Sequence, residues 1–349
     1  MINSSKPVAI WIGIGVLMLL IQVILGGVTR LTGSGLSITE WNVITGIIPP
    51  LNEDAWISEF EKYKQTPQYQ LINVDFSLSD FKFIFFWEWL HRFWARLIGV
   101  VFIIGFAYLL LKKFLKKEMI RPLLILFLLG ALQGAVGWIM VASGLTGDAV
   151  YVKPTRLALH FIFALVLIAY AFWFFLILVL PKNQLVVSPK IKTFTGWLLS
   201  LTTIQLVFGA LMAGHKAATA APTWPDINGS FLPDTMFKDV PLLINFIENK
   251  ITIHFLHRNL AYLIFILVCM LTWKLYSIKT SSRFFNNYKV IPFVLVVFQT
   301  LLGILSLIMS SGIVPNNWGA FEWFAQLHQI TGILFAISIL CLFFIVRRR

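Results

Sequence analysis

Eight long apolar runs, separated by polar or charged segments, dominate the chain. They cover approximately 8–29, 84–111, 121–143, 156–180, 193–214, 251–275, 289–312 and 323–346. A bilayer core of about 30 Å needs about 20 residues of helix. Inside it only helices or closed barrels satisfy their backbone groups. The pattern predicts an all-α polytopic membrane protein with eight transmembrane helices. The first run follows Lys6 and ends in Gly26-Gly27. It is too long for a signal h-region and has no convincing cleavage site, so it is predicted to stay as a helix.

Composition agrees. The 349 residues are 58% hydrophobic and only 12% charged, with a mean hydropathy of +0.84, against roughly 45–50% apolar and about 25% charged in soluble domains. That excludes soluble enzymes, disordered chains, collagens and disulfide scaffolds. Cys269 and Cys341 both lie inside apolar runs and read as small packing residues.

Charge sets the expected orientation. With the N-terminus cytoplasmic, the inner segments carry Lys6, the cluster Lys112 to Arg121, Lys182, Lys190, Lys192, the cluster Lys274 to Lys289, and Arg347, Arg348 and Arg349. That makes sixteen basic residues against one acid, Glu118, while the outer segments hold nine basic residues and 13 of the 15 acids. The positive-inside rule predicts both termini inside. The net charge of +13 is thus a topology signal, and no nucleic-acid partner is expected. The outer loop over 30–83, with Trp41, Trp56 and Pro49-Pro50, is predicted to be a folded cap.

The chain also repeats itself. His91-Arg92 recurs as His257-Arg258, and Gln133 and Gly137 as Gln299 and Gly303, all at an offset of 166. Ser143-Gly144 recurs as Ser311-Gly312 and His160 as His328, at an offset of 168. Leu25-Gly26-Gly27 and Phe208-Gly209-Ala210 are related in the same way. Four helices per repeat give halves of the same orientation. The expected organisation is two parallel, pseudosymmetric four-helix bundles, 1–183 and 184–349.

Four of the six histidines, His91, His160, His257 and His328, fall at repeat-equivalent positions, each placed by the apolar pattern in the first two turns of an even-numbered helix. Opposed histidines on bundle helices can ligate one haem iron from both faces. Zinc suits them less, because no carboxylate or thiolate completes a tetrahedral set. Arg92 and Arg258 are candidates to pair with haem propionates, and Arg96 is a weaker one. Glu88 lies one turn before His91, where the other half has His254. An intramembrane carboxylate beside a haem points to a reacting group. The structural alternative is that Glu88 pairs with Arg92 or Arg96 on its own helix. His215, at a helix end beside Lys216, reads as an interfacial residue.

Several segments resemble the haem A synthase family, in its proteobacterial and mitochondrial branch. They are Gly27-Val-Thr-Arg-Leu-Thr-Gly-Ser-Gly-Leu-Ser-Ile-Thr-Glu-Trp41, Thr45-Gly-Ile-Ile-Pro-Pro-Leu-Asn52, Phe60-Glu-Lys-Tyr-Lys-Gln-Thr-Pro67, Phe81-Lys-Phe-Ile-Phe85 and Glu88-Trp-Leu-His-Arg92, then Thr223-Trp-Pro225, His257-Arg258 and Leu327-His-Gln329. The resemblance runs essentially the whole length. It implies oxidation of the C8 methyl of haem O to the formyl group of haem A. It also implies a haem b cofactor on His257 and His328, and the substrate haem on His91 and His160 with Glu88 beside it. Implied partners are haem O, haem O synthase, cytochrome oxidase assembly factors and membrane lipid, with a second copy of the chain as a further candidate. The implied location is the cell inner membrane. Another branch carries a cysteine pair in the first outer loop, which is absent here, so no redox disulfide is expected. A dihaem b-type cytochrome relaying electrons from quinol would use the same four histidines, but has no need of an acid in one half only. A transporter would favour inverted repeats and broken helices.

Overall fold

The computed structural model describes residues 6–41, 45–314 and 317–347. The terminal Arg348 and Arg349, counted above in the inner charge, lie outside them, as do positions 42–44 of the first outer loop.

Eight candidate membrane-spanning segments are present: α1 (Lys6–Leu31), α4 (Leu78–Leu111), α5 (Lys117–Ala142), α6 (Pro154–Val179), α7 (Pro189–Gly214), α8 (Lys250–Tyr276), the segment Arg283–Gly312, and α11 (Ala320–Ile345). The seventh is composite, with α9 (Arg283–Tyr288) leading into α10 (Ile291–Met309). Short helices α2 (Glu53–Lys64) and α3 (Pro67–Leu71) lie in the long segment between α1 and α4. The strand content described is one two-residue parallel pairing, Val186 with Val346 and Val187 with Arg347. The chain is therefore an all-α, multi-pass membrane protein.

Most helices begin several residues before the apolar run that marks them. A run reports bilayer thickness, whereas a helix starts where its first N–H groups find caps. On α4, Ser77 accepts from the Asp80 N–H while Asp80 accepts from the Ser77 N–H, a reciprocal capping box. On α8, Asn249 accepts from Ile251 and Thr252. One site expectation changes as a result. His91 lies about four turns into α4, at 3.6 residues per turn, rather than in its first two turns, because the capped polar start adds turns ahead of the apolar run.

The chain divides into two compact units. One comprises residues 14–168, including α2 and α3. There Phe60, Tyr63, Phe81, Ile84 and Phe85 are buried against Trp56 and Tyr69, with Phe81 stacked between Phe60 and Tyr63 at ring-centroid distances of 5.0 and 5.3 Å. Asn52 caps α2 and Thr66 caps α3, where Pro67 sits at the N1 position that needs no donor. The cap is pinned by polar groups as well. Asn73 donates to the Tyr63 hydroxyl (2.8 Å), which donates to Gln68 (3.1 Å), whose amide donates to the Gly33 carbonyl (3.3 Å). Burial pushes the Tyr63 hydroxyl up to about 12.

The other unit holds 6–13, 169–314 and 318–347. Its core packs α7, α8, α10 and α11 through Leu198, Val268, Leu271, Val296, Phe335 and Ile339, with the end of α6. Cys341 is buried in it and Cys269 is half-buried, both free. Gln184 ties the α6–α7 turn to α9 by accepting from the Phe284 N–H (2.9 Å).

Candidate functional site

Two histidine pairs lie one in each unit. His257 on α8 and His328 on α11 stand with ring centroids 6.3 Å apart and planes at 77°. A metal–imidazole bond of about 2.0–2.1 Å plus about 1.1 Å from nitrogen to centroid places two imidazoles on opposite sides of one ion about 6.3 Å apart. The observed spacing would accommodate one iron held by His257 and His328. His328 Nδ1 lies 3.0 Å from the Gln299 carbonyl, so its N–H is directed to the main chain, while Nε2, the nitrogen that would ligate, faces the Gln299 amide. In the other unit His91 on α4 and His160 on α6 are within electrostatic reach of each other.

Each of the four histidines has a glutamine and a glycine set against it. Gln22 Nε2 lies 3.2 Å from both ring nitrogens of His91 and donates to its carbonyl at 3.1 Å. Gln133 does the same for His160, at 3.2 and 3.3 Å to the ring and 3.2 Å to the carbonyl. Gln205 reaches His257 Nε2 at 3.4 Å and its carbonyl at 3.0 Å. Gln299 reaches His328 Nε2 at 3.3 Å. One turn beyond each glutamine is a glycine. A Cβ built on Gly26, Gly137, Gly209 or Gly303 would lie 3.0, 2.9, 3.2 or 2.8 Å from Cε1 of the matching imidazole. A side chain there would displace the ring. The sequence reading picked out Gln133, Gly137, Gln299 and Gly303 but missed Gln22 and Gln205. The signal was a Gln-x-x-x-Gly spacing present in α1, α5, α7 and α10 alike.

Glu88 is 2% exposed and fully engaged. Its Oε1 accepts from Arg92 at 2.6 Å, and its Oε2 accepts from the Ser37 hydroxyl at 2.7 Å and the Ile38 N–H at 2.9 Å. Arg92 also donates to the carbonyls of Ile38 and Glu40, both at 3.2 Å, and lies over the Trp41 ring. The segment ending in Trp41 is thus the loop that surrounds this ion pair. Arg96 donates to the Arg92 carbonyl, further down the helix.

In the other unit Arg258 takes the corresponding place. It donates to the carbonyls of Thr223 (2.9 Å), Pro225 (3.0 Å) and Asp226 (2.6 Å), and sits 2.9 Å from His254 Nε2. The Thr223-Trp-Pro225 segment is therefore a loop folded onto an arginine, as Ser37–Trp41 is. The Gly229 N–H bonds to the Asp226 carboxylate and holds it below the usual carboxylate range. His215 bonds the Ile247 carbonyl at 2.7 Å, away from the histidine pairs.

Comparison with known proteins identifies the family. A family model described as cytochrome oxidase assembly protein matches residues 9–340. Among curated relatives, a protein named heme A synthase from Flavobacterium psychrophilum is 40% identical over 331 residues, covering 94% of each chain. Those of the same name from Wolbachia pipientis and Bartonella henselae are 40% and 37% identical, covering 88% and 97% of this chain and 85% and 91% of their own. With the match running almost end to end, the chain belongs to the cytochrome oxidase assembly protein family.

Proposed function

We propose that this protein is a haem A synthase of the cell inner membrane, oxidising the C8 methyl of haem O to a formyl group. The observation that carries the reading is the 6.3 Å separation of the His257 and His328 rings, which fits one iron between them, in a chain matched along its length by proteins of that name. In this reading the halves 1–183 and 184–349 are parallel repeats with both termini cytoplasmic. His257 and His328 hold a haem b, and His91 and His160 hold the substrate haem. The resident haem, when bound, supplies one-electron acceptor chemistry for the electrons that leave the methyl carbon.

The chain's own residues do the rest. The histidines would hold each macrocycle in its half of the chain. Arg92 and Arg258 place positive charge at the outer ends of the pairs, suited to haem carboxylates. Glu88 is a fixed negative charge one turn from His91. Both of its oxygens already accept hydrogen bonds, so its role is electrostatic: it stabilises positive charge developing at the oxidised carbon. In the relay half an imidazole, His254, takes that position beside Arg258, where no carbon is oxidised. A protein that only relays electrons has no use for this difference.

Pigment analysis tests the proposal. Expressed with a haem O supply in cells lacking their own synthase, the purified protein should carry low-spin haem b, and the cells should contain haem A. His257→Leu and His328→Leu should each deplete the low-spin haem. Absence of haem A from cells containing the folded parent protein would overturn the reading.

A further inference from the structure

We infer that His254 is a binding residue for the resident haem: its Nδ1–H is the donor to a haem carboxylate in the C-terminal half, and Arg258 is the positioning residue that puts the proton on that nitrogen. This rests on the haem reading above. His254 is 2% exposed and Arg258 is buried beside it. Arg258 Nη2 lies 2.9 Å from His254 Nε2. A guanidinium has only donors to offer, so Nε2 accepts with its lone pair and the ring proton sits on Nδ1. That N–H is buried and has no hydrogen-bond partner among the described residues. Leaving such a group unbonded is costly, and an exception in a folded protein marks a place where a bound group completes the set.

Its place on the helix gives the chemistry of the partner. His254 precedes His257 by three residues, so the two side chains share a face of α8. In a haem b the ring nitrogens are all spent on the iron, which leaves the carboxylates as its acceptors. Arg258 would be the obvious residue to meet one, but its terminal nitrogens are already engaged. Nη1 donates to the carbonyls of Pro225 and Asp226, and Nη2 to the carbonyl of Thr223 and to His254. Its charge reaches a carboxylate through the imidazole, whose free N–H it polarises. Glu88, at the same place in the other repeat, offers nothing of the kind, since both of its oxygens are acceptors. A donor in one half and an acceptor in the other suits one haem that stays and one that leaves.

Two substitutions in the purified full-length protein separate the ring nitrogens. Glutamine places its amide where Nε2 stood and can still accept from Arg258, but leaves nothing at Nδ1. Asparagine places an amide donor where Nδ1 stood and leaves Arg258 short of an acceptor. His254→Gln should shift the propionate bending band of the low-spin haem in resonance Raman spectra. It should also speed haem transfer to excess apomyoglobin by about 10–100-fold, the effect of losing one hydrogen bond to a charged group. His254→Asn should keep both close to the parent. If His254 serves only as a partner for Arg258, the order of the two variants reverses. A glutamine variant with the parental band and release rate, or an asparagine variant no closer to the parent than glutamine, would overturn the inference. The asparagine variant answers alone if the glutamine variant fails to assemble, because a shifted band there overturns it as well. A parent protein holding no low-spin haem would overturn the haem reading instead.

Discussion

Glu88→Gln separates a charge that acts on substrate from one that only holds the protein together. The substitution keeps the shape of the side chain and removes its charge from a site 2% exposed. Stranding a buried charge costs about 3–5 kcal/mol, but Arg92 keeps the carbonyls of Ile38 and Glu40 and an amide oxygen in place of the carboxylate. The remaining loss is one acceptor shared between Ser37 and Ile38, worth about 1–3 kcal/mol. The variant should therefore assemble and keep its C-terminal haem. Removing a preorganised electrostatic group commonly costs about 10²–10³ in rate, or about 2.7–4 kcal/mol. The expected result is a folded protein whose cells accumulate haem O, or an alcohol intermediate, in place of haem A. Chromatography of extracted haems gives the ratio, and the haem b spectrum with a melting curve reports integrity. The double variant Glu88→Gln/Arg92→Gln sharpens the test, since it removes the stranded charge without restoring the carboxylate. Normal haem A output from the single variant, or its recovery in the double one, would refute the electrostatic role and leave Glu88 as half of a structural pair.

The Tyr63 hydroxyl, raised from its ordinary 10.0 to about 12 by burial, favours the folded state in its neutral form. Its contribution is complete below about pH 10 and is lost as pH rises from about 10 to 12, by about 1.4 kcal/mol per unit. Tyr63→Phe should flatten that alkaline loss in melting curves while costing about 1–3 kcal/mol at neutral pH through the stranded Asn73 and Gln68; an unchanged alkaline slope would refute the assignment. A reporter fused after Arg349 should be active in its cytoplasmic form, and activity only of a periplasmic reporter would overturn the orientation of the whole bundle.

The helices could be read in the sequence because a bilayer leaves no alternative to long apolar runs. Their starts were not, because a cap such as Ser77 with Asp80 is written in polar residues outside the run. The histidines stand out through repetition, and the Gln-x-x-x-Gly spacing repeats in α1, α5, α7 and α10 and carries Gln22 and Gln205 in the same way. The partners of Arg92 and Arg258 had no such signature. They are mostly main-chain carbonyls, which every residue possesses, so only the fold of the loops reveals them. The pairing of Glu88 with Arg92 was visible as an i, i+4 spacing. That Ser37 and Ile38 complete its coordination was not, since they lie about fifty residues away.

The two arginines give the loops above the histidines an unusual stiffness. A guanidinium cannot shed its charge, and Arg92 and Arg258, whose heads are almost wholly enclosed, draw several of their acceptors from loop carbonyls. Lifting either loop toward water would break two or three charge-assisted bonds at once and leave the cation facing apolar side chains. Each loop is thus bolted to its helix by a group that no change of pH in the physiological range can release. On the haem reading proposed above, a flat, greasy pigment that comes and goes would find these two loops the costliest part of each half to move aside.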